Sequence, residues 1–251
     1  MSLTGHSTPS SPPIADSTAA CCAGLYELDV TRFLLGDIFH PGGVELTRKL
    51  GGLALLHRGA HVLDVASGCG TTAAELARHF GCRVVSFDYS PVGADVRGDA
   101  GALPFAAGRF DALVCECALC TFDDMELSAR EMVRVLRPGG RLGISDMVLN
   151  ETVPELLQGL FGRVLCIAGA HSGDGYMELL ANAGFQNVRH YDVSHTLLEM
   201  ITTIEKRLRS AQSLFELPEE LEDPGPMLKT AKEFVMSGGV GYGLFVARKT
   251  R

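Results

Sequence analysis

The fold is decided by residues 62–73, which read Val-Leu-Asp-Val-Ala-Ser-Gly-Cys-Gly-Thr-Thr-Ala. An apolar run leads into a loop of small residues, and a helical pattern follows the loop. Small residues let the backbone approach a ligand closely, and the first turn of a helix offers N–H groups that lack intrahelical partners. The stretch therefore predicts a strand, a ligand-binding loop and a helix in succession.

The same alternation continues on both sides of this stretch. Apolar runs predict strands over 61–65, 83–88, 112–115, 141–145, 188–191 and 242–247. Helical patterns lie between them, for example over 72–80 and 125–136, and Pro138-Gly139-Gly140 is expected to end the second of these helices. The first four runs are almost continuously apolar, as in strands that helices cover on both faces. The pattern predicts a doubly wound α/β sheet.

A second acid narrows the choice of ligand. Asp88 ends the second predicted strand, where an acid commonly binds the ribose hydroxyls of a nucleotide. The loop is spaced Asp64-x-Ala66-x-Gly68-x-Gly70 and lacks the Gly-x-Gly-x-x-Gly pattern of dinucleotide sites. Its leading acid suits a cationic amino-acid group better than a pyrophosphate. These features indicate S-adenosyl-L-methionine (SAM) as the cofactor.

Three later blocks complete a family resemblance. Residues 98–105 read Gly-Asp-Ala-Gly-Ala-Leu-Pro-Phe, residues 109–114 read Arg-Phe-Asp-Ala-Leu-Val, and residues 134–142 read Arg-Val-Leu-Arg-Pro-Gly-Gly-Arg-Leu. Over about residues 60–150 the chain resembles the class I SAM-dependent methyltransferases, in the branch that contains quinone C-methyltransferases and arsenite methyltransferases. The resemblance implies a Rossmann-like seven-stranded sheet with an N-terminal helical lid.

The resemblance also implies a set of cofactor contacts. The loop would lie under the methionine part, the acid after the second strand would hold the ribose, and Tyr89 would flank the adenine. Asp99 and Ala100 would read the adenine edge, and Glu116 would lie beside the methionyl group. The implied cofactor-binding residues are Asp64, Ala66, Ser67, Gly68, Gly70, Asp88, Tyr89, Asp99, Ala100 and Glu116.

Two features depart from the family pattern. Ala66 occupies the position where the family usually has the first glycine, and a methyl group is tolerable there if the backbone angle is not left-handed. Only the ten residues 89–98 separate Asp88 from Asp99, where the family normally has a whole helix before the third strand. A helical crossover needs about a dozen residues or more. We therefore expect this helix to be absent or reduced to a turn.

Cysteines cluster at the expected end of the fourth strand. Residues 115–120 read Cys-Glu-Cys-Ala-Leu-Cys, and strand alternation would place Cys115 and Cys117 on the face opposite Glu116. Cys117, Cys120 and the later Cys166 are either ligands for a soft acceptor or small apolar side chains in a core. No matching downstream pair completes a zinc motif, so no metal is expected.

His40 is the candidate general base. It lies in the block Leu-Gly-Asp-Ile-Phe-His-Pro-Gly-Gly at 35–43, and an N-terminal segment often closes over the cofactor as a lid. Imidazole is a common base at neutral pH, although His-Pro-Gly-Gly is also an adequate turn. The candidate catalytic residues are His40, Cys117, Cys120 and Cys166.

Composition limits the class of partner. Hydrophobic residues make up 46% of the 251 residues, charged residues 21%, and the net charge is −8. A chain this acidic does not fit a nucleic-acid binder, and no run approaches the roughly 18 apolar residues that a membrane span needs. We expect a cytoplasmic protein, a monomer or homodimer, that acts on a small molecule. Residues 1–20 read as a disordered tail, and 21–251 as one domain with a lid (21–57), a cofactor-binding core (58–150) and an acceptor segment (151–251).

The sequence does not identify the methyl acceptor. A soft nucleophile (thiol, selenide or trivalent arsenic) competes with an oxygen or carbon atom of a secondary metabolite or quinone. A protein of another class, which binds SAM for regulation without transferring its methyl group, also fits the motifs.

Overall fold

Seven strands of the described residues form a central sheet in this computed structural model, which describes residues 33, 40–90, 93–158, 166, 167, 169–211 and 225–250. The strands are β1 (His61–Val65), β2 (Arg83–Asp88), β3 (Val96–Arg97), β4 (Phe110–Glu116), β5 (Leu136–Leu149), β6 (Phe185–Asp192) and β7 (Val240–Lys249). Their order is β3-β2-β1-β4-β5-β7-β6. β7 runs antiparallel to both of its neighbours, and the other pairs are parallel. The predicted tail and residues 21–32 and 34–39 of the predicted lid lie outside the described residues.

Helices cover both faces of the sheet. They are α1 (Gly43–Leu53), α2 (Thr71–Phe80), α3 (Met125–Val135), α4 (Gly173–Ala183), α5 (His195–Ala211) and α6 (Gly225–Met236). α1, α2, α5 and α6 contribute to one apolar cluster, and α3 and α4 contribute to the other. The predicted doubly wound α/β architecture is confirmed. Within the described ranges, no helix has the length and apolar character needed to cross a bilayer.

The strand, loop and helix predicted from residues 62–73 are present. Val62, Leu63 and Val65 are 0% exposed, because helices cover both faces of β1. α2 follows Gly70 and ends before Gly81, and both glycines have left-handed backbone angles, with φ of 82° and 69°. Glycine takes such angles without steric cost, so the two glycines set the limits of the helix.

The connection from β2 to β3 has no helix in its described residues, 89, 90 and 93–95, as predicted. β3 pairs with only the last two residues of β2, so the chain does not have to retrace a full strand. Asp95 closes the connection, because its Oδ2 atom accepts hydrogen bonds from Ser86 N at 2.9 Å and Ser86 Oγ at 2.8 Å. A side chain thus replaces the packing that a crossover helix provides.

The entry into β5 differs from the prediction. α3 ends at Val135 and β5 begins at Leu136, so Pro138-Gly139-Gly140 does not end the helix but lies inside the strand. Leu136 pairs with Phe110, and the register then shifts before the next pair. The Pro-Gly-Gly segment is the irregular part of this shift, and such irregularities are where a strand tolerates proline.

Candidate functional site

Three carboxylates meet at the edge of the sheet where the parallel strands end. Asp64 of β1 pairs with Ser86 of β2 and Val114 of β4, so the terminal acids of those strands, Asp88 and Glu116, flank it. Asp64 is 1% exposed, and its Oδ2 atom has no hydrogen-bond partner among the described residues. Burial, and then the charges of Glu116 and Asp88, raise the pKa of Asp64 well above its ordinary value. This edge of the sheet is therefore electrostatically suited to a cation.

Asp88 fixes the loop between β1 and α2. Its Oδ2 atom accepts a hydrogen bond from Gly68 N at 2.8 Å, and its Oδ1 atom accepts one from Ser90 N at 2.7 Å. Ser67 N donates to a carbonyl of β2 at 3.1 Å. The hydroxyl of Ser67 is buried without a partner in the described part of the chain, like Oδ2 of Asp64. Unsatisfied buried polar atoms beside a loop are typical of a site that takes a polar ligand.

Ala66 has a left-handed backbone angle. Its φ is 59°, in the same region as those of Gly68 (52°) and Gly70 (82°). The condition under which a methyl group is tolerable at this position is therefore not met. A residue with a β-carbon pays about 1–2 kcal/mol there, so the loop is strained at this position.

Ala66→Gly is expected to raise the free energy of unfolding by about 0.5–1 kcal/mol. The relief of steric strain outweighs the entropy that glycine adds to the unfolded chain. Calorimetry should show a Tm higher by roughly 1–3 °C. Ala77→Gly, inside α2, is the matched control and should lower the Tm. A Tm that falls in both variants would show that Ala66 carries no strain.

The residues expected at the adenine lie around the ends of β2 and β3. Tyr89 is 40% exposed, and its carbonyl accepts a hydrogen bond from Arg97 Nε at 3.0 Å. Asp99 Oδ1 accepts from a backbone N–H two residues later at 2.7 Å and so caps a short turn that contains the buried Ala100. The structure thus brings Tyr89, Asp99 and Ala100 to the β2–β3 end of the site, with an exposed ring on which a flat base can stack.

Glu116 is the centre of a buried hydrogen-bond network. Its Oε2 atom accepts from the hydroxyls of Thr47 at 2.8 Å and Thr72 at 2.7 Å, and its Oε1 atom accepts from Ser145 Oγ at 3.5 Å. His40 Nε2 lies 3.4 Å from Oε2. The side chains of His40 and Glu116 are 8% and 3% exposed. Hydrogen bonds to a charged group in such surroundings are among the stronger ones in proteins.

Both ring nitrogens of His40 face oxygen atoms. Nε2 faces the carboxylate of Glu116, and Nδ1 lies 3.2 Å from the carbonyl oxygen of Pro41. An imidazole that has gained a proton donates from both nitrogens at once. Both nitrogens of a protonated His40 therefore have an oxygen acceptor nearby.

Three members of this network were not predicted from the sequence. Thr72 lies in the stretch that decides the fold, but a threonine in the first turn of a helix carries no specific signal. Thr47 and Ser145 come from α1 and β5, which are distant in sequence from the loop. Only the packing of α1 against the sheet brings them to Glu116.

Cys117, Cys120 and Cys166 form a thiol cluster beyond the end of β4. Cys120 Sγ donates to Cys166 O at 3.1 Å, and Cys166 Sγ donates to Cys117 O at 3.5 Å. Cys117 and Cys166 have left-handed backbone angles, with φ of 54° and 56°. Asp146 of β5 accepts from Cys120 N at 2.9 Å and so holds the segment after β4. The structure brings the three predicted cysteines together, two of them in strained conformations.

Cys117 does not share a face with Cys115. Cys115 packs in the cluster under α3 and α4, whereas Cys117 packs on the opposite face of the sheet. The predicted alternation is wrong here because β4 ends at Glu116, and the left-handed backbone of Cys117 breaks the two-residue period.

Burial favours the neutral forms of the thiol cluster. A hydrogen bond shared with Cys166, and then burial, raise the pKa of Cys117, and burial followed by the same partner raises the pKa of Cys120. Burial raises the pKa of Asp146 to about 7, although hydrogen bonds from Cys120 act in the opposite direction. In the part of the chain that is described, no three His, Cys, Asp or Glu side chains are arranged to hold a metal ion.

The acidic end of the site fits SAM. SAM carries an ammonium and a sulfonium group, and Asp64 offers a buried carboxylate whose ionised form a cation would stabilise. Its ribose carries two hydroxyls, and Asp88 lies at the strand end from which an acid reaches them. The exposed ring of Tyr89 and the turn at Asp99 complete a surface for the adenine.

Comparison with known proteins finds similarity to methyltransferases. Residues 63–144 match a family described as a methyltransferase domain, and the matched segment contains the loop and all three acids. The O-methyltransferase resE of Aspergillus sclerotiorum is 27% identical over 224 residues, which cover 82% of this chain and 81% of the relative. A demethylmenaquinone methyltransferase of Beutenbergia cavernae is 37% identical over 153 residues, 55% of this chain and 63% of the relative.

Solved structures share the fold. Phosphoethanolamine N-methyltransferase 2 of Haemonchus contortus in complex with SAM has a TM-score of 0.77 at 18% identity, and the match covers 96% of this chain but 62% of that one. The [4+2]-cyclase SpnF has a TM-score of 0.70 at 23% identity, and the match covers 93% of this chain and 97% of the SpnF chain. The sheet order and the solved neighbours show the Rossmann-like fold of the class I methyltransferases. Residues 63–144 match a methyltransferase domain, and the comparisons support a SAM-dependent methyltransferase with SAM as the cofactor.

Proposed function

We propose that this methyltransferase acts on a hydroxyl group of a small-molecule acceptor. The observation that carries the proposal is the pair of His40 and Glu116, a buried base 3.4 Å from a carboxylate at the end of β4. A hydroxyl group must lose its proton when it is methylated, and a positioned base contributes about 10²–10⁴-fold to such a step. Carbon methylation of a phenol or quinol ring would use the same base, because ionisation of the ring hydroxyl activates the carbon.

The residues around Glu116 have different roles in the proposed reaction. SAM supplies an electrophilic methyl group when it is bound. Thr47 and Thr72 hold Glu116 through Oε2. His40 takes the acceptor proton, and the two N–H groups of the protonated ring then donate to Glu116, 3.4 Å from Nε2, and to the carbonyl of Pro41, 3.2 Å from Nδ1. The low exposure of the pair keeps water from competing for the proton, so orientation and desolvation supply much of the rate.

The relatives support an oxygen acceptor on a small molecule. The Aspergillus sclerotiorum relative is named an O-methyltransferase, and the match covers 81% of its length. The Beutenbergia cavernae relative is named for demethylmenaquinone, but the chain spans 63% of it, so it supports a quinol acceptor less strongly. SpnF shares this fold but is named as a cyclase, so the fold alone does not define a reaction.

An acceptor panel tests the proposal. The protein is incubated with SAM and a phenol, a naphthohydroquinone, a thiol or arsenite, and S-adenosylhomocysteine is quantified by mass spectrometry. Turnover is expected with the hydroxyl compounds and should fall at least about 100-fold in His40→Gln. His57→Gln, at an exposed histidine, is the matched control and should retain full turnover. SAM binding without turnover of any acceptor would instead support a regulatory SAM-binding protein.

A soft acceptor is the second candidate function, and the convergence of Cys117, Cys120 and Cys166 favours it. Trivalent arsenic and similar centres bind several sulfur atoms at once. Against this candidate, the pKa of Cys117 and that of Cys120 are raised, and the neighbouring carboxylate of Asp146 disfavours further negative charge. We therefore rank it below the hydroxyl acceptor.

Single Cys→Ser variants at these three positions separate binding from packing. If the cysteines only pack, each variant should lose about 1–3 kcal/mol of stability, because a hydroxyl is buried in place of a sulfur, while turnover per folded molecule persists. Cys82→Ser is the matched control, since Cys82 is also buried and donates to a carbonyl elsewhere. Loss of turnover with an unchanged Tm at two or more of the three positions would reverse our ranking.

A further inference from the structure

Behind Glu116 the hydrogen bonds continue into the core of the sheet. Tyr242 Oη donates to Ser145 Oγ at 3.0 Å, and Ser145 Oγ donates to Glu116 Oε1 at 3.5 Å. Tyr242 and Ser145 are both 0% exposed. Tyr242 lies on β7, Ser145 on β5 and Glu116 on β4, which are adjacent strands. A continuous series of polar contacts thus connects Tyr242 on β7, through Ser145 and Glu116, to His40.

Most contacts of the Glu116 carboxylate are made at one of its two oxygens. Thr47, Thr72 and His40 all meet the carboxylate at Oε2, on one side. The terminal torsion of a glutamate side chain is broad, so contacts at both oxygens define the carboxylate plane more narrowly than contacts at one oxygen. Ser145 is the described residue whose side chain donates to Oε1, and its hydroxyl is itself oriented by Tyr242.

We propose that Tyr242 and Ser145 are positioning residues for methyl transfer, which fix the carboxylate plane of Glu116 and thereby hold His40 in place. The inference rests on the proposed function, in which His40 takes the acceptor proton. Both residues are 0% exposed, so their proposed effect is exerted through Glu116. A purely structural tyrosine at position 242 would not need its hydroxyl, because burial of a polar group costs free energy that phenylalanine avoids.

Tyr176 provides a matched control. It is also 0% exposed, it packs in the apolar cluster on the opposite face, and its hydroxyl has no hydrogen-bond partner among the described residues. Tyr242→Phe should lower kcat about tenfold with little change in the KM for SAM, whereas Tyr176→Phe should leave both unchanged. Ser145→Ala, the second variant, should reproduce Tyr242→Phe.

A double variant tests the direction of the effect. If Tyr242 acts only through Glu116, then Glu116→Gln combined with Tyr242→Phe should be no slower than Glu116→Gln alone. Independent, multiplicative losses would overturn the proposal, as would wild-type kcat in both Tyr242→Phe and Ser145→Ala.

A spectroscopic readout separates this proposal from the proposed function. The ¹⁵N chemical shift of His40 Nε2 reports its contact with Glu116 and needs no acceptor. It should change in Tyr242→Phe and Ser145→Ala but not in Tyr176→Phe. If the wild type turns over no acceptor yet these shifts change as expected, the proposed function fails and the positioning network stands. Unchanged shifts in an enzyme that is active on hydroxyl acceptors would overturn the positioning proposal and leave the proposed function standing.

Discussion

Asp64→Asn is expected to weaken SAM binding about 100-fold while stabilising the cofactor-free protein. The change removes a buried carboxylate that faces two other acids and replaces it with a neutral group of the same shape. Loss of a charge-assisted hydrogen bond costs about 1.5–3 kcal/mol of binding. Without the ligand, burial disfavours the ionised form of this carboxylate, so its removal should raise the Tm at pH values where Asp64 ionises.

The stabilisation by Asp64→Asn should depend on pH. Burial raises the folded-state pKa of Asp64 above its unfolded value, so between these two values only the unfolded state releases the proton. The contribution of Asp64 to stability is therefore present at low pH and lost as the pH rises through the folded-state pKa. The Tm difference between variant and wild type should be larger at pH 8 than at pH 5.

Asp111→Asn is the control for this prediction. Asp111 accepts from His61 N at 2.8 Å and pairs with Arg137 at 2.6 Å, near the start of β1. Its removal should lower the Tm and leave SAM binding unchanged. Calorimetry that finds wild-type SAM affinity in folded Asp64→Asn would show that this carboxylate does not bind the cofactor.

Glu116→Gln is expected to lower kcat about 100-fold, the largest effect on turnover with the His40 variant. Glutamine keeps the volume and can still accept hydrogen bonds from Thr47 and Thr72 at its amide oxygen. It removes the negative charge beside His40, so the protonated imidazole of the proposed reaction would lose its counter-charge. SAM affinity, measured by calorimetry, should fall by less than kcat does.

The matched control is Glu75→Gln, at a second buried acid on α2. Glu75 accepts from Arg48 Nε at 2.7 Å and from Arg78, so it joins helices rather than facing the base. This variant should lower the Tm and leave kcat unchanged. Equal kcat values for Glu116→Gln and the wild type would remove Glu116 from the reaction.

The cofactor half of the site could be predicted from the sequence because it is local. Asp64, the loop and α2 lie within one stretch, and the acid Asp88 lies at the end of the next strand. The shortened β2–β3 connection also followed from counting residues, since ten residues cannot contain a crossover helix and its turns. Periodicity and chain length are sufficient for features of this kind.

The remaining features depend on tertiary contacts that periodicity does not contain. The left-handed angle of Ala66 follows from the path of the loop, and the face occupied by Cys117 follows from where β4 ends. Thr47, Ser145 and Tyr242 reach Glu116 from three elements that are far apart in sequence. A hydroxyl in a buried strand or helix gives no sequence signal of its partner.

Calorimetric titration of the wild-type protein with SAM is the direct test of whether this site binds SAM. One SAM should bind per chain, with a Kd on the order of micromolar. NAD⁺ should give no heat of binding, because the loop is led by an acid that disfavours a pyrophosphate. A protein that is folded by circular dichroism but binds no SAM, or that binds NAD⁺ instead, would show that this is not a SAM site.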